Sequence, residues 1–506
     1  MAIYRQREQM TTALALVDAA SVARIALVGV GVGGTLTLSR LAEQADESWS
    51  GTALDIVDRP KSLGRGTAFG SDIAAAAINT SQNRLEALSP SLHSFRSWLD
   101  ASGGPATDLN TRPMSRSVYG DYLAATLAKS IDRLRNCGVR VNFYPMHATS
   151  VRPQGDGMVV VGDSAELPQA DIAVVAAGVW PPPAPRGLPN LVEAYPLSGL
   201  RTRLGDHRAV AVLGSGLTAV DIACALDDGK TRVHMLSRSG TMPRVQVEAT
   251  QNSNAPEHLT EDAVISQAVW SELTAKSVLA LLDRELARFG FTRPHILSDH
   301  AHAAHWSDPL ADLADIACHH TLSATNDALN TAFTLLPEAE RILLRKALGS
   351  KWFRYRVRVP LSRWRQLRAM QADGRLVVHG GVDAREGKLD DVIADLGVDR
   401  VIPALGQSSN LWEGPELVAD LAASGLVDCD DAGQGLVDPA TCRALAPGGG
   451  PRDDLLLVGQ ASAGSYFTVS ALDVVAGQAR RAAQTIADAI TTRTGLLVPA
   501  TRKAAA

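Results

Sequence analysis

Two stretches of the chain each run a short apolar strand straight into a glycine-rich turn and then a helix, and this pattern constrains the fold more than any other. The first is Arg24-Ile25-Ala26-Leu27-Val28 followed by Gly29-Val30-Gly31-Val32-Gly33-Gly34. A helix through Leu41 follows, and the chain returns as the strand Ala53-Leu54-Asp55-Ile56-Val57-Asp58. A strand with no polar alternation is buried on both faces, as in a parallel sheet covered by helices. The segment therefore reads as one βαβ unit. The second stretch starts at Ala209-Val210-Ala211-Val212-Leu213, turns through Gly214-Ser215-Gly216-Leu217-Thr218-Ala219, and returns as Arg232 to Arg238.

The spacing of these glycines carries chemistry. In Gly-x-Gly-x-x-Gly, Gly29 allows the tight turn, Gly31 lets backbone approach a pyrophosphate, and Gly34 lets helix pack on strand. The helix N-terminus then offers free N–H donors to phosphate. Asp58, closing the second strand, is placed to accept hydrogen bonds from an adenosine ribose. A Gly-rich turn can also be simple close packing, and it is the strand, helix and acid together that favour the dinucleotide. In the second copy, Gly214 and Gly216 hold the first two positions and Ala219 the third, and Ser237-Arg238 stands where the acid would be. A carboxylate there would repel a 2'-phosphate, whereas a hydroxyl and a guanidinium can bind it, so NADPH is favoured over NADH. Arg244 is either a second positive charge for that phosphate or a solvated surface group.

Composition narrows the partners. With 49 basic against 54 acidic residues there is no overall positive field to hold nucleic acid or an anionic membrane. No apolar run reaches the roughly 20 residues that cross a bilayer. The five cysteines are scattered and form no Cys-x-x-Cys pair, which argues against a zinc ribbon or a dithiol centre and fits a reducing cytoplasm. Small-molecule partners are expected, and the composition leaves the oligomeric state open.

Between the two motifs, Asp171 to Gly178 reads as a strand, and Pro181-Pro182-Pro183 as a stiff connector. From 251 to 349 strand signals vanish and helices are expected: one from Glu272 to Phe289, and one with Pro337 in its first turn and Gly349 after its end. Strands resume at Arg354 to Val359 and Arg375 to Val378. Arg400 to Gly406 repeats the strand-to-glycine pattern of Gly178, Asp454 to Gly459 ends another strand, and Val469 to Ile490 is an apolar-periodic helix. The expected organisation is α/β: two Rossmann-like dinucleotide-binding domains, the second inserted in the first, with a helical insertion. An N-terminal extension spans 1–21, and a discontinuous first domain covers 22–200 and 395–492. The second domain covers 201–250 and 350–394, the helical insertion 251–349 and a C-terminal tail 493–506.

This order, with strand ends at Gly178, Gly406 and Gly459, resembles the flavoproteins with two dinucleotide-binding domains. That resemblance implies FAD in the first domain, NADPH in the second, and a helix starting near Val469 whose N-terminus points at the flavin. A narrower match is carried by Leu63-Gly64-Arg65-Gly66-Thr67-Ala68-Phe69-Gly70, Ile78-Asn79-Thr80, Phe95-x-x-Trp98-Leu99, Arg116-Ser117-Val118-Tyr119-Gly120-Asp121-Tyr122-Leu123 and Trp352-Phe353-Arg354-Tyr355-Arg356. It resembles the bacterial FAD/NAD(P)-binding family related to N-hydroxylating flavin monooxygenases. In that family the loop bearing Arg65 and the segment bearing Asn79 line the flavin, and the helix from Arg116 lies behind it. The sequence departs from the pattern at Val30, Val32 and Gln460, the last standing where many relatives carry an acid.

The resemblance implies an NADPH-dependent monooxygenase that uses dioxygen through a flavin C4a-hydroperoxide to hydroxylate the amine of a small amino acid, acidic ones among the candidates. Hydroxylation of a purine-like or aromatic ring, and a non-catalytic FAD-binding sensor, stay open as alternatives. Asn79 is the candidate catalytic residue. The candidate cofactor ligands are Gly29, Gly31, Gly34, Asp58, Arg65, Asn79, Gly214, Gly216, Ser237, Arg238, Gly406, Gly459 and Val469. No metal is expected, although His295, His300, His302, His305, His319 and His320 crowd one region. Arg354, Arg356 and Arg358 would share one face of a strand, to grip phosphates or a dicarboxylate or to guard an edge. Cys318 reads as a buried structural thiol.

Overall fold

A computed structural model of the chain describes residues 23–71, 76–103, 113–185, 187–188, 190–247, 255–299, 303, 306–383, 389–398 and 400–497. The proposed N-terminal extension, the end of the tail, and His300, His302 and His305 lie outside them.

The chain opens with β1 (Arg24–Val28) and β2 (Ala53–Val57), joined by the helix Val32–Gln44, and reaches β3 (Arg140–Tyr144) after the helix Arg116–Asn136. An antiparallel pair, β4 (Ala148–Gln154) and β5 (Gly157–Gly162), precedes β6 (Ile172–Val175). Next come β7 (Ala209–Leu213), the helix Leu217–Ala225, β8 (Arg232–Leu236) and β9 (Arg244–Gln246). After a run of helices, β10 (Arg358–Pro360), β11 (Leu376–His379) and β12 (Val401–Pro403) follow, then β13 (Arg443–Leu445), β14 (Pro451–Leu457) and the helix Leu472–Leu497. The first sheet has the order β13-β14-β6-β1-β2-β3, parallel except for β13, and the second the all-parallel order β11-β8-β7-β12.

The continuous apolar strands are explained by the packing. In β1, β6 and β14, Ala26, Val28, Ala173, Val175, Leu455 and Leu457 join one core. Ile25, Leu27, Ile172, Val174 and Leu456 join another on the opposite face. Successive side chains point to opposite faces, so both faces of β1, β6 and the Leu455–Leu457 half of β14 are covered, while the polar half of β14 from Pro451 to Asp454 reaches water. In β2, Asp55 is a fully buried acid whose Oδ2 accepts from Arg24 at 2.9 Å and whose Oδ1 accepts from Asn142 Nδ2 at 2.7 Å. Removing one partner of a buried ion pair strands the other charge. Asp55→Ala is therefore expected to cost about 3–5 kcal/mol of folding stability, read as a shift in urea unfolding. A loss below about 1 kcal/mol would mean that the pair is not sealed from water.

Two expectations are corrected. Arg354, Arg356 and Arg358 do not share a strand: Arg354 and Arg356 end the helix Glu338–Arg356, and only Arg358 enters β10. The helix breaks at Gly349 (φ 46°, ψ −147°) and resumes. Its buried residues Leu344, Leu348, Trp352 and Tyr355 recur at helical spacing, and burial of that stripe overrides the alternation of arginines. The second correction concerns 400–406, which was expected to return to the first domain. β12 pairs with β7, Val401 opposite Ala211 and Pro403 opposite Leu213, as the fourth strand of the second sheet. The chain crosses back beyond Gly406, where Ser408 N donates to Trp180 O at 2.9 Å. The C-terminal helix also runs further than expected, to Leu497.

The helices between 255 and 356 share their own core, built on Leu282, Leu286, Leu329, Phe333, Trp352 and Tyr355. Phe467, from the segment after β14, is buried in that same core, so the helical unit leans on the first sheet's loops. Among the described residues no helix is long and apolar enough to cross a membrane.

Candidate active site

At the end of β1, Gly29 has φ +85°, and its N–H donates to Val57 O at 2.9 Å. A Cβ on Gly34 would overlap the Gly29 carbonyl oxygen, closer than the 3.0 Å that real Cβ atoms respect, so helix and strand meet there through backbone alone. Gly31 is the helix N-cap and no side chain caps it. A methyl on Gly31 would lie 3.2 Å from Gly66 Cα, so the 63–70 loop faces the turn through glycine and no side chain fills the approach. Uncapped first-turn amides in a cradle lined by glycine fit a pyrophosphate.

Asp58 has a second task. Its Oδ2 accepts from Val30 N at 2.8 Å, and its Oδ1 from Arg59 N at 2.6 Å and Ser62 Oγ at 2.5 Å. The carboxylate thus ties the glycine turn to the loop that carries Arg65, while lone pairs remain for a ribose. Arg65 turns to Asp121 of the helix Arg116–Asn136.

Gly459 follows β14 at φ +86° and lies on the same side, since a Cβ on Gly33 would touch the neighbouring Val458 at 3.1 Å. Gln478, fully buried, holds this turn: its Oε1 accepts from Gly459 N at 2.7 Å and its Nε2 donates to Ser462 Oγ at 3.0 Å. A glutamine at a position in register with the helix's apolar residues Val474, Ala482 and Ile486 was the available sequence signal for it. Gln460 donates to Ser408 O at 3.0 Å, and among the described residues its buried Oε1 meets no hydrogen-bond donor. The C-terminal helix starts at Leu472 rather than Val469, which is buried in the preceding loop. Asp473 stands in the helix's first turn, bound to Arg84 at 2.5 Å and Asn326 Nδ2 at 2.9 Å. That acid offsets the partial positive charge expected from the helix end.

In the second unit, Gly214 has φ +123° and Gly216 caps the helix Leu217–Ala225 with no side-chain cap. Among the described residues a Cβ on Gly216 meets nothing within 4 Å, which leaves room for an approaching ligand. Ser237 is wired to this turn: Ser215 Oγ donates to Thr241 O at 2.6 Å and shares a hydrogen bond with Ser237 Oγ at 3.0 Å, and Ser237 Oγ accepts from Gly240 N at 3.1 Å. Arg238 is exposed beside it. Gly406, at φ +88°, follows β12, three residues past its last residue Pro403, and so leaves the second sheet rather than the first.

Arg244 is no phosphate contact. It is 3% exposed, paired with Asp315 at 2.5 Å and set over the Tyr355 ring at 4.7 Å. Arg358, 1% exposed, pairs with the other oxygen of Asp315 at 2.9 Å. Arg354 pairs with Asp299, and Arg356 reaches Asn326 and Ser323 O. Burial holds the Arg356 guanidinium down to about 10. The three arginines therefore serve separate internal contacts. Asn79 lies where the units meet, its Nδ2 donating to Arg358 O at 3.4 Å.

His319 and His320 bond to Arg356 O and Val247 O through Nε2, and His295 stacks on Phe291. Among the described residues no three potential metal ligands converge. Burial pushes the Cys318 thiol up to about 12, which leaves it unreactive.

Residues 26–179 match a family model described as FAD-NAD(P)-binding. Over most of its length the chain is similar to two solved structures. L-lysine 6-monooxygenase from Pseudomonas syringae aligns with TM-score 0.51 and 17% identity, over 93% of this chain and 99% of that one. The reduced form of ornithine hydroxylase from Pseudomonas aeruginosa aligns with TM-score 0.54 and 13% identity, over 92% and 99%. No curated protein sequence matches. At these identities the likeness is one of fold, and the chain has the Rossmann-type α/β fold of these two amino-acid hydroxylating enzymes.

Proposed function

We propose that this chain is an FAD- and NADPH-dependent monooxygenase that hydroxylates the amine of a small amino acid. The observation that carries the reading is the pair of uncapped glycine turns, each at the end of the first strand of its own parallel sheet. The family model over the first turn and the shared fold of the two hydroxylases support it. FAD, when bound, supplies the redox chemistry: it takes reducing equivalents from NADPH and delivers one oxygen atom of dioxygen to the substrate.

The protein's own part is to bind, orient and exclude water. The first-turn amides at Gly31 to Gly34 would hold the FAD pyrophosphate, with Asp58 on the ribose. Gln478 braces the Gly459 turn, which would lie beside the pyrophosphate, and Gln460 ties the next residue to Ser408 O. The amides after Gly216 would hold the coenzyme pyrophosphate, and Ser237 with Arg238 its 2'-phosphate. An amine attacks only as its neutral form, so a substrate ammonium must first lose a proton. Arg354, Arg356 and Arg358 are engaged by Asp299, Asn326 and Asp315, so these three guanidinium groups do not supply a grip for an acidic substrate side chain.

The test is direct. Purified protein should be yellow, should oxidise NADPH faster when the right amino acid is added, and should return that amino acid heavier by one oxygen atom. Colourless protein that binds neither cofactor would end the reading. Stimulation by a purine or an aromatic ring in place of every amine would move the proposal to ring hydroxylation.

A further inference from the structure

The two dinucleotide units are joined by an ion pair that neither glycine turn requires. Arg116 opens the helix Arg116–Asn136 of the first unit, and Asp221 sits in the helix Leu217–Ala225 that follows the second glycine turn. Arg116 Nη2 lies 3.1 Å from Asp221 Oδ2, with the side chains 21% and 8% exposed. The arginine is braced from its own side: its N–H donates to Ala76 O at 3.0 Å and its Nε to Ala77 O at 3.2 Å. Ile78 N in turn donates to Met114 O at 2.8 Å. Ala76, in that same strip, is fully buried in the second unit's core with Val220 and Ala223. The strip 76–79 is thus inserted between the units, with Asn79 reaching Arg358 O at its far end.

The cost of this arrangement is informative. Asp221 is buried about one helical turn from the amides that would receive a pyrophosphate, where a negative charge works against an anionic ligand. Burial also raises its carboxyl above the ordinary range, against the pull of Arg116 and Arg363. A buried charge pair adds little stability relative to apolar packing, and its best-attested use is to fix one arrangement over others. Tyr195, in the connector between the units, stands within electrostatic reach of both partners.

We infer that Arg116 and Asp221 are positioning residues: their pair fixes the second dinucleotide unit against the first at the orientation that hydride transfer between the two cofactors requires. This rests on the function proposed above. It implies a reductive half-reaction without large rotation of one unit on the other.

The test uses the full chain with and without FAD. In FAD-free protein, Asp221→Asn should raise amide hydrogen exchange about 10-fold or more at 76–79 and 217–225, while β6 in the first sheet stays protected. In FAD-loaded protein, the variant should keep its flavin and accept electrons from dithionite normally. Anaerobic reduction by saturating NADPH should slow about 10-fold or more. Asp221→Glu, which keeps the charge, should recover most of both losses. Arg116→Gln, at the more exposed partner, should reproduce the Asn variant. Unchanged exchange at 76–79 and 217–225 overturns the inference, as does a Glu variant as impaired as the Asn variant. Wild-type flavin that NADPH fails to reduce would instead remove the proposed function, and the exchange measurement would still decide whether the pair holds the units together.

Discussion

Gly34→Ala is expected to yield protein that has lost its flavin, whereas Gly216→Ala keeps it and loses coenzyme affinity. The added atom is the same and its surroundings are opposite. At Gly34 the new Cβ would overlap the Gly29 carbonyl oxygen. That carbonyl cannot retreat, because Gly29 is itself packed against Ala176 O and held by a hydrogen bond to Val57 O. The turn must open, and its amides then point away from the pyrophosphate. An FAD affinity lowered by about 100-fold or more is expected, since that ligand is held mainly by those donors. At Gly216 the Cβ meets none of the described residues within 4 Å and the backbone lies outside the left-handed region, so the fold is expected to be unaffected. The methyl instead enters the space a second pyrophosphate must approach, for an expected loss of about 10- to 100-fold in NADPH affinity. Flavin absorbance of the purified variants and NADPH titration of the loaded protein separate the two results. A Gly34→Ala protein with native flavin content would remove the pyrophosphate assignment.

Arg238→Ala should weaken NADPH binding by about 10- to 100-fold and leave NADH binding nearly unchanged, the scale of one charge-assisted hydrogen bond to a phosphate. Ser237 is fixed by the Ser215 and Gly240 contacts, so its hydroxyl is presented in one orientation. Arg238 is exposed and supplies the charge. Raising the salt concentration should erode the NADPH preference of the wild type and not that of the variant. Equal losses for both coenzymes would show that the guanidinium does not read the 2'-phosphate.

Each part of the site was legible to a different degree. β1 and β7 fall on the predicted residues because their apolar runs leave no alternative to burial on both faces. The helix after the first glycine turn and a helical stretch over 251–349 were likewise expected, although the helices run on to Arg356. The arginine alternation at 354–358 misled, because two periods overlap there and the one that is buried is the stripe of Leu344, Leu348, Trp352 and Tyr355. Arg244 misled for a related reason: a guanidinium near a predicted phosphate site says nothing about Asp315, 71 residues on, which claims it.

What the sequence determined by itself is the local chemistry of the two turns: strand, glycine bend, uncapped helix, and an acid in one copy against Ser-Arg in the other. Those features depend on residues close together in the chain, where steric limits and hydrogen-bonding capacity act directly. Tertiary structure alone decided which sheet receives β12, that Gln478 braces the Gly459 turn, and that Arg116 meets Asp221 across the two units. Such contacts join residues separated by tens to hundreds of positions, and each charge had several possible partners. Only the packing of the apolar cores brings one of them within reach.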